Sequence, residues 1–382
     1  MLADADRLLA GRDPDVPGLA VLLDPDALTA WLGSRWDARD RPPPDAVTVR
    51  YLRYKPGTAL VAAVELSWPG ATRAGFVKAV APGAAPKLAK LRGATVDDVR
   101  LLAYGDAADD RRLPGLARLG PGLRTLRYKP ERRWVGVAGD RVVKVHRPPL
   151  PPSVVSDHQA VRAAGLPVPE LLAARLRHGL VVYRWVDGEP LDRSPGGPDG
   201  AARRETGALL RRLHDCAVVP ARTRPPHRLE LAGAVRAVAA VLPEAAAPAV
   251  ATARAITGAL AGADRPVVPV HGDFSADQVI AGPDGLAVID LDRFCADDPA
   301  ADLAGWAAAE IVAGRAGPDD GAARVLGELL DGYRPAPDLL DRLDPLTAAA
   351  LLRRAAEPFR TRQADWPRQV AEHVRRAHRL VS

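Results

Sequence analysis

His271-Gly272-Asp273-Phe274-Ser275-Ala276-Asp277-Gln278-Val279-Ile280, with Leu286-Ala287-Val288-Ile289-Asp290-Leu291-Asp292 close behind it, is the stretch on which the reading of this chain turns. The apolar run before Asp290 reads as a strand, so Asp290 places an anionic oxygen at a strand end. Asp273 stands in a polar loop, where a carboxylate can position and deprotonate a hydroxyl. Gln278, five residues on, can turn a carbonyl oxygen back toward a cation. Phosphoryl transfer needs this inventory and little covalent chemistry besides: a carboxylate for the attacking hydroxyl and oxygen ligands for Mg²⁺. His271 reads as a brace of the loop and Asp277 as a solvated loop acid. Asp292 is open between support of Asp290 and a metal contact.

Asp298-Pro299-Ala300-Ala301-Asp302-Leu303-Ala304 follows at once. HGDxxxxQ, then VIDLD, then DPAxDLA in this order resembles the aminoglycoside phosphotransferase and choline-kinase superfamily. That resemblance implies a bilobal protein-kinase-like fold. It also implies a kinase that moves the γ-phosphate of ATP or GTP onto a hydroxyl of an aminoglycoside, amino alcohol or sugar. Asp273 is then the catalytic carboxylate, Asp290 the metal Asp and Asp302 a structural acid at a helix start. One departure bears on the metal: Gln278, one methylene longer, stands where the family generally has Asn; a similar Gln occurs in the maltokinase-like branch.

The nucleotide side is read from the segments upstream. A kinase-like N-lobe holds the nucleotide phosphates with a strand lysine, and Lys144 in Val142-Val143-Lys144-Val145 is the candidate. Gly165-Leu166-Pro167-Val168-Pro169 and then Leu180-Val181-Val182-Tyr183-Arg184-Trp185-Val186 follow it. This order resembles the family's lysine strand, PVP turn and hinge, with Tyr183, Arg184, Trp185 and Val186 meeting the purine. No glycine-rich loop precedes Lys144; Lys129-Pro130-Glu131-Arg132-Arg133 stands there, and Asp157 is the nearest acid where the family has a helix glutamate. These departures support a second reading, a catalytically impaired pseudokinase that binds a nucleotide or ligand.

An internal repeat extends the β-rich half. Val49-Arg50-Tyr51-Leu52-Arg53-Tyr54-Lys55-Pro56 returns as Leu123-Arg124-Thr125-Leu126-Arg127-Tyr128-Lys129-Pro130. Each copy leads to a lysine among apolar strand residues, Lys78 and Lys144, and period-two alternation marks the segments as strands. Lys78 lies far upstream of the PVP turn and reads as an accessory copy. Asp24-Pro25 signals a helix start, and from Asp199 onward the pattern is helical apart from 267–291. The expected fold is α+β: an N-terminal accessory α+β unit over 1–118 with the first repeat copy, a β-rich N-lobe over 119–187 and a helical C-lobe over 188–382.

Composition narrows the partners. The net charge is +6, but arginines and acids alternate along most helical stretches, as on a solvated surface, and no nucleic-acid-binding motif is present. Neither nucleic acid nor a membrane is an expected partner; a nucleotide and a small-molecule substrate are. Two cysteines, no signal-like opening and no long apolar run lead to the expectation of a reducing, cytoplasmic location. Between Ala296 and Pro345 eleven acids face four arginines, an imbalance that would draw a cationic acceptor such as an aminoglycoside or an amino alcohol, or that simply marks an acidic, solvated helix face. A neutral sugar is the rival acceptor. The sequence carries no signal for an oligomeric state.

Overall fold

The computed structural model describes residues 2–37, 42–91, 95–120, 122–194, 196–262 and 265–382. Its β-rich part is a duplicated sheet. The first copy contains β1 (Ala46–Lys55), β2 (Ala59–Trp68), β3 (Ala71–Val80), β4 (Thr95–Asp97) and β5 (Leu102–Asp106). The second contains β6 (Arg124–Lys129), β7 (Arg133–Ala138), β8 (Arg141–His146), β9 (Leu171–Arg175) and β10 (Leu180–Arg184). The strand orders are β1-β2-β3-β5-β4 and β6-β7-β8-β10-β9, one topology used twice.

Register makes the match residue by residue. The first hairpin of each copy closes at Lys55↔Ala59 and Lys129↔Arg133. The middle residue of each three-residue turn is left-handed, Gly57 at φ 62° and Glu131 at φ 62°. Lys78 lies opposite Val61 and Lys144 opposite Val135, and Val61 and Val135 are as far apart in the chain as Tyr54 and Tyr128. The copies differ in the crossover after the lysine strand. The second has the helix Ser153–Ala163, whereas among the described residues the first has the 3₁₀ turn Pro82–Lys87, where Pro86 denies a helix its backbone donor.

The chain divides into two compact units: residues 1–150, 173–182 and 357–367 in the first, and 151–172, 183–356 and 368–382 in the second. This differs from the expected division, because residues 118 and 119 fall inside the first unit. Tyr51, Ala63 and Phe76 of the first sheet share one buried cluster with Tyr128, Trp134, Val143 and Val145 of the second. A cut between the copies would open that core to water. The helix Pro25–Gly33 starts as its sequence requires, with Asp24 accepting from the N–H groups of Asp26 and Ala27, and buries Leu28, Trp31 and Leu32. Residues 357–367 join the same unit: Phe359 packs on Tyr54, and Arg362 forks onto buried Asp6 at 2.9 and 2.7 Å.

The second unit is helical. Its longer helices are Gly200–His214, His227–Val241, Ala246–Ala259, Ala300–Val312, Leu343–Arg354 and, from residue 368 on, most of Trp366–Arg379. Two short sheets lie among them: β11 (Glu189–Pro190) with β13 (Val279–Gly282) and β14 (Gly285–Val288), and β12 (Val268–Val270) with β15 (Cys295–Asp297). Together they fold the decisive stretch back on itself. Among the described residues, no helix is long and apolar enough to cross a membrane.

Candidate active site

The HGD loop leaves β12 and enters β13, while residues 289–294 link β14 to β15. Pairing of Val279 with Val288 and of Val270 with Cys295 brings the two links side by side. His271 is fully buried, its Nε2–H donating to the Ile289 carbonyl at 2.8 Å. The Ile289 N–H donates to the Gln278 carbonyl at 2.9 Å. Gly272 has φ 82°, and a Cβ there would lie 2.4 Å from the Arg293 carbonyl oxygen, so only glycine fits this crossing.

Asp302, in the first turn of the helix Ala300–Val312, holds the loop from below. Its carboxylate accepts the His271 N–H at 2.6 Å and the Gly272 N–H at 2.8 Å. It also accepts His214 Nε2–H at 3.1 Å, while His214 Nδ1 accepts from the Tyr333 hydroxyl at 2.8 Å. Burial would raise the Asp302 carboxyl, but His214 and the backbone donors outweigh it and hold the group below the ordinary carboxylate range. Phe274 is fully buried against His271 and Trp306, at ring separations of 5.7 and 5.5 Å. Backbone, carboxylate and aromatic contacts therefore fix both sides of Asp273.

Asp273 itself is 47% exposed at the side chain, with Arg293 Nε at 3.6 Å from one oxygen and Arg354 Nη2 at 3.7 Å from the other. Desolvation raises its carboxyl and the nearby charge of Asp290 adds to that, but Arg293 and Arg354 prevail and lower it. Asp273 is thus a carboxylate throughout the neutral range. Arg354 lies on the helix Leu343–Arg354 and carries no signal in the sequence; Arg293 directly follows the VIDLD segment. Neighbouring Arg353 reaches Glu230 at 3.2 Å, yet burial and the charge of Arg224 bring its guanidinium down to about 10.

Asp290 is left-handed at φ 63°, and both Asp290 and Asp292 are half-buried. The Gln278 amide donates from Nε2 to Asp277 at 2.8 Å, and Asp277 also accepts from the Ser275 hydroxyl. Asp277 is therefore part of the loop's bracing, not merely a solvated acid. Because the amide nitrogen is committed, the Gln278 Oε1 is oriented away from Asp277. Asp290, Asp292 and Gln278 each offer oxygen donors, the ligand type that a hard divalent cation takes. Among the described residues, no group of three or more His, Cys, Asp or Glu is assembled as a metal site.

The remaining expected residues are distributed over both units. Lys144, on β8 of the first unit, is buried between buried Val143 and Val145. Tyr183 is buried against His158 at 4.9 Å, Arg184 pairs with Glu170 at 2.8 Å, Trp185 is 37% exposed and Val186 is half-buried. Asp157 accepts the Ala221 N–H at 3.4 Å.

The acid-rich segment of 296–345 has a different character from a solvated face. Asp297 pairs with Arg224 and Asp298 with Arg342. Buried Glu310 pairs with Arg203 and Arg315, both at 2.6 Å. Asp338 also pairs with Arg342 and Asp320 with Arg324. Asp302 holds the loop, and Asp344 accepts the Ala322 N–H at 2.6 Å. The buried part of the negative charge is thus committed to internal bracing, while Asp320 and Asp338 pair at the surface.

Residues 128–346 match the model of the phosphotransferase enzyme family (APH). No curated protein sequence matches the chain. Among solved structures, a choline/ethanolamine kinase family protein from Mesorhizobium loti is similar at TM-score 0.52 and 20% identity, over 72% of this chain and 92% of that one. The choline kinase LicA from Streptococcus pneumoniae is similar at TM-score 0.51 and 12% identity, over 69% and 95%. At these identities the likeness speaks to the fold, which is the α+β kinase-like fold expected from the motifs.

Proposed function

The chain belongs to the phosphotransferase enzyme family, and within it we propose a kinase that transfers the γ-phosphate of ATP or GTP to a hydroxyl of a neutral sugar or polyol. Phosphotransfer to an alcohol group is the activity of the family. The acceptor reading rests on one observation: the Asp273 carboxylate is flanked by Arg293 and Arg354, while the buried acids of the helical part, Asp298, Asp302 and Glu310, are engaged in internal bonds and ion pairs. A polycationic aminoglycoside or a charged amino alcohol would meet guanidinium groups at the reacting position. A sugar hydroxyl meets a carboxylate that orients it and two arginines that can donate to neighbouring ring oxygens. Gln278 and the long N-terminal extension, shared with maltokinase-like proteins, support the same choice.

In this reading Asp273 accepts the hydrogen bond of the attacking hydroxyl and takes its proton late, because a lowered carboxyl is a weak base. Asp290 and Gln278, with Asp292 beside them, would hold Mg²⁺, which when bound neutralises charge on the transferring phosphates. Lys144 would hold the nucleotide phosphates, and the backbone of Tyr183, Arg184, Trp185 and Val186 would meet the base. The test is nucleotide consumption by the full chain, at one ionic strength, against neutral sugars, amino alcohols and aminoglycosides. Neutral sugars should exceed aminoglycosides in kcat/KM by about tenfold or more, a difference of roughly 1.4 kcal/mol. Preferential turnover of aminoglycosides overturns the acceptor assignment.

A further inference from the structure

The first sheet contains a cavity of about 450 Å³ lined by Arg53, Lys55, Lys78, Lys87 and Arg132, with Glu131 the single acid among the charged lining residues. That volume is in the range of small-molecule sites. Val61 and Val80 also line it, and Val61 is the strand partner of Lys78. The cavity is built on the repeat position that corresponds to Lys144. Three of the chain's six lysines line it.

Glu131 shows what the pocket accepts. Its carboxylate receives Lys78 Nζ at 2.8 Å and also pairs with Arg53. Desolvation would raise that carboxyl, but Lys78 and Arg53 outweigh it. The residue reaches this place from a left-handed turn position, at φ 62°, where the first copy has Gly57. A side chain in that conformation is held at a cost, commonly about 1 kcal/mol. Asp110 assists by accepting the Glu131 N–H at 2.7 Å. The carboxylate thus fills an anion position between two cations, while Lys55, Lys87 and Arg132 add positive charge around the same cavity.

We propose that this cavity is a second ligand site, separate from the phosphotransfer site, that takes a phosphate-bearing small molecule. Its phosphate lies on Lys78 and Arg53 in competition with the Glu131 carboxylate. Tetrahedral oxygens suit a guanidinium fork and an ammonium together. Because Glu131 sits in the turn between β6 and β7, occupancy of the pocket also releases one tie on that turn. The proposal stands on the lining of the first sheet and does not depend on where the nucleotide binds.

The experiment is isothermal titration of the full chain, at constant ionic strength, with inorganic phosphate and separately with glucose 6-phosphate. Binding near or below about 1 mM is expected for at least one probe. A preference for the ester identifies a phosphorylated metabolite as occupant, and equal affinity identifies the phosphate group alone; either supports the site. Lys78→Ala should weaken binding about tenfold or more, exposed Lys87→Ala should weaken it several-fold without risk to the fold, and Glu131→Gln should tighten it. Lys144→Ala should leave it unchanged. Absence of binding at about 10 mM, affinity indifferent to both Lys78→Ala and Lys87→Ala, or loss only in Lys144→Ala would overturn the proposal.

Discussion

Removing the Asp302 carboxylate tests the local architecture most directly, because three donors converge on it and nothing else in the site replaces it. Asp302→Ala leaves the buried N–H groups of His271 and Gly272, and the His214 ring N–H, without their acceptor. Each orphaned buried donor costs about 1–3 kcal/mol, so the variant should lose about 4 kcal/mol after some relaxation. Asp302→Asn keeps one acceptor oxygen but turns an NH₂ group toward a backbone donor, a loss of about 2 kcal/mol. Urea titration gives the stability change, and amide exchange of a peptide spanning residues 268–280 gives its location. Protection should fall in the order wild type, Asn, Ala, and turnover should fall with it, since a displacement of about 1 Å at Asp273 costs on the order of 10²-fold. If Asp302→Ala stays within about 1 kcal/mol of wild type and exchange at 268–280 is unchanged, the carboxylate does not hold the loop.

Asp273→Asn should preserve folding and nucleotide binding while lowering turnover by roughly 10²-fold or more; steady-state kinetics with unaltered kcat would remove Asp273 from its role. Asp290→Ala should abolish the Mg²⁺-dependent part of nucleotide stabilisation in a thermal-shift assay. Absence of that part already in the wild-type chain would favour the pseudokinase reading. Lys144→Ala should raise the nucleotide KM and lower kcat, whereas Lys78→Ala should leave nucleotide affinity unchanged, and equal losses would mean that both copies form the nucleotide site. With pH, the depressed Asp302 carboxyl contributes stability that is complete above its unfolded value near 3.9 and lost as pH falls through its lower folded value. The unfolding midpoint should therefore show no Asp302-dependent change from about pH 5 to 8 and an acid decline that is shallower in Asp302→Asn, where the other depressed carboxyls remain.

The residues whose partners are close in sequence were the ones the sequence revealed. HGDxxxxQ, the strand end at Asp290 and the DPAADLA helix start lie within 32 residues, His271 to Asp302, and the β13–β14 hairpin with the β12–β15 pair around it brings them together. The Asp24 cap and the helical stretches were legible for the same reason. The repeat was visible as LRYKP, but not the shared core that makes one unit of both copies, since Tyr51 and Trp134 meet only after two sheets have formed. Residues 357–367 were hidden more deeply: Arg362 finds Asp6 across 356 positions, and no local pattern foretells that pair.

The acid-rich segment shows how such distance misleads a charge count. Eleven acids against four arginines is a correct count over residues 296–345, yet it omits the cations supplied from outside that window. Arg203 reaches Glu310 across 107 positions and Arg224 reaches Asp297 across 73. A buried carboxylate keeps its charge only with a partner, so the acids most deeply placed are already matched: Glu310 by Arg203 and Arg315, Asp298 by Arg342, and Asp302 by His214 and two backbone donors. What reaches the neighbourhood of Asp273 is the reverse sign, from Arg293 and Arg354. The sequence located the carboxylate that would receive the hydroxyl; the fold decides which charges surround it, and those charges are the ground for choosing a neutral acceptor over a cationic one.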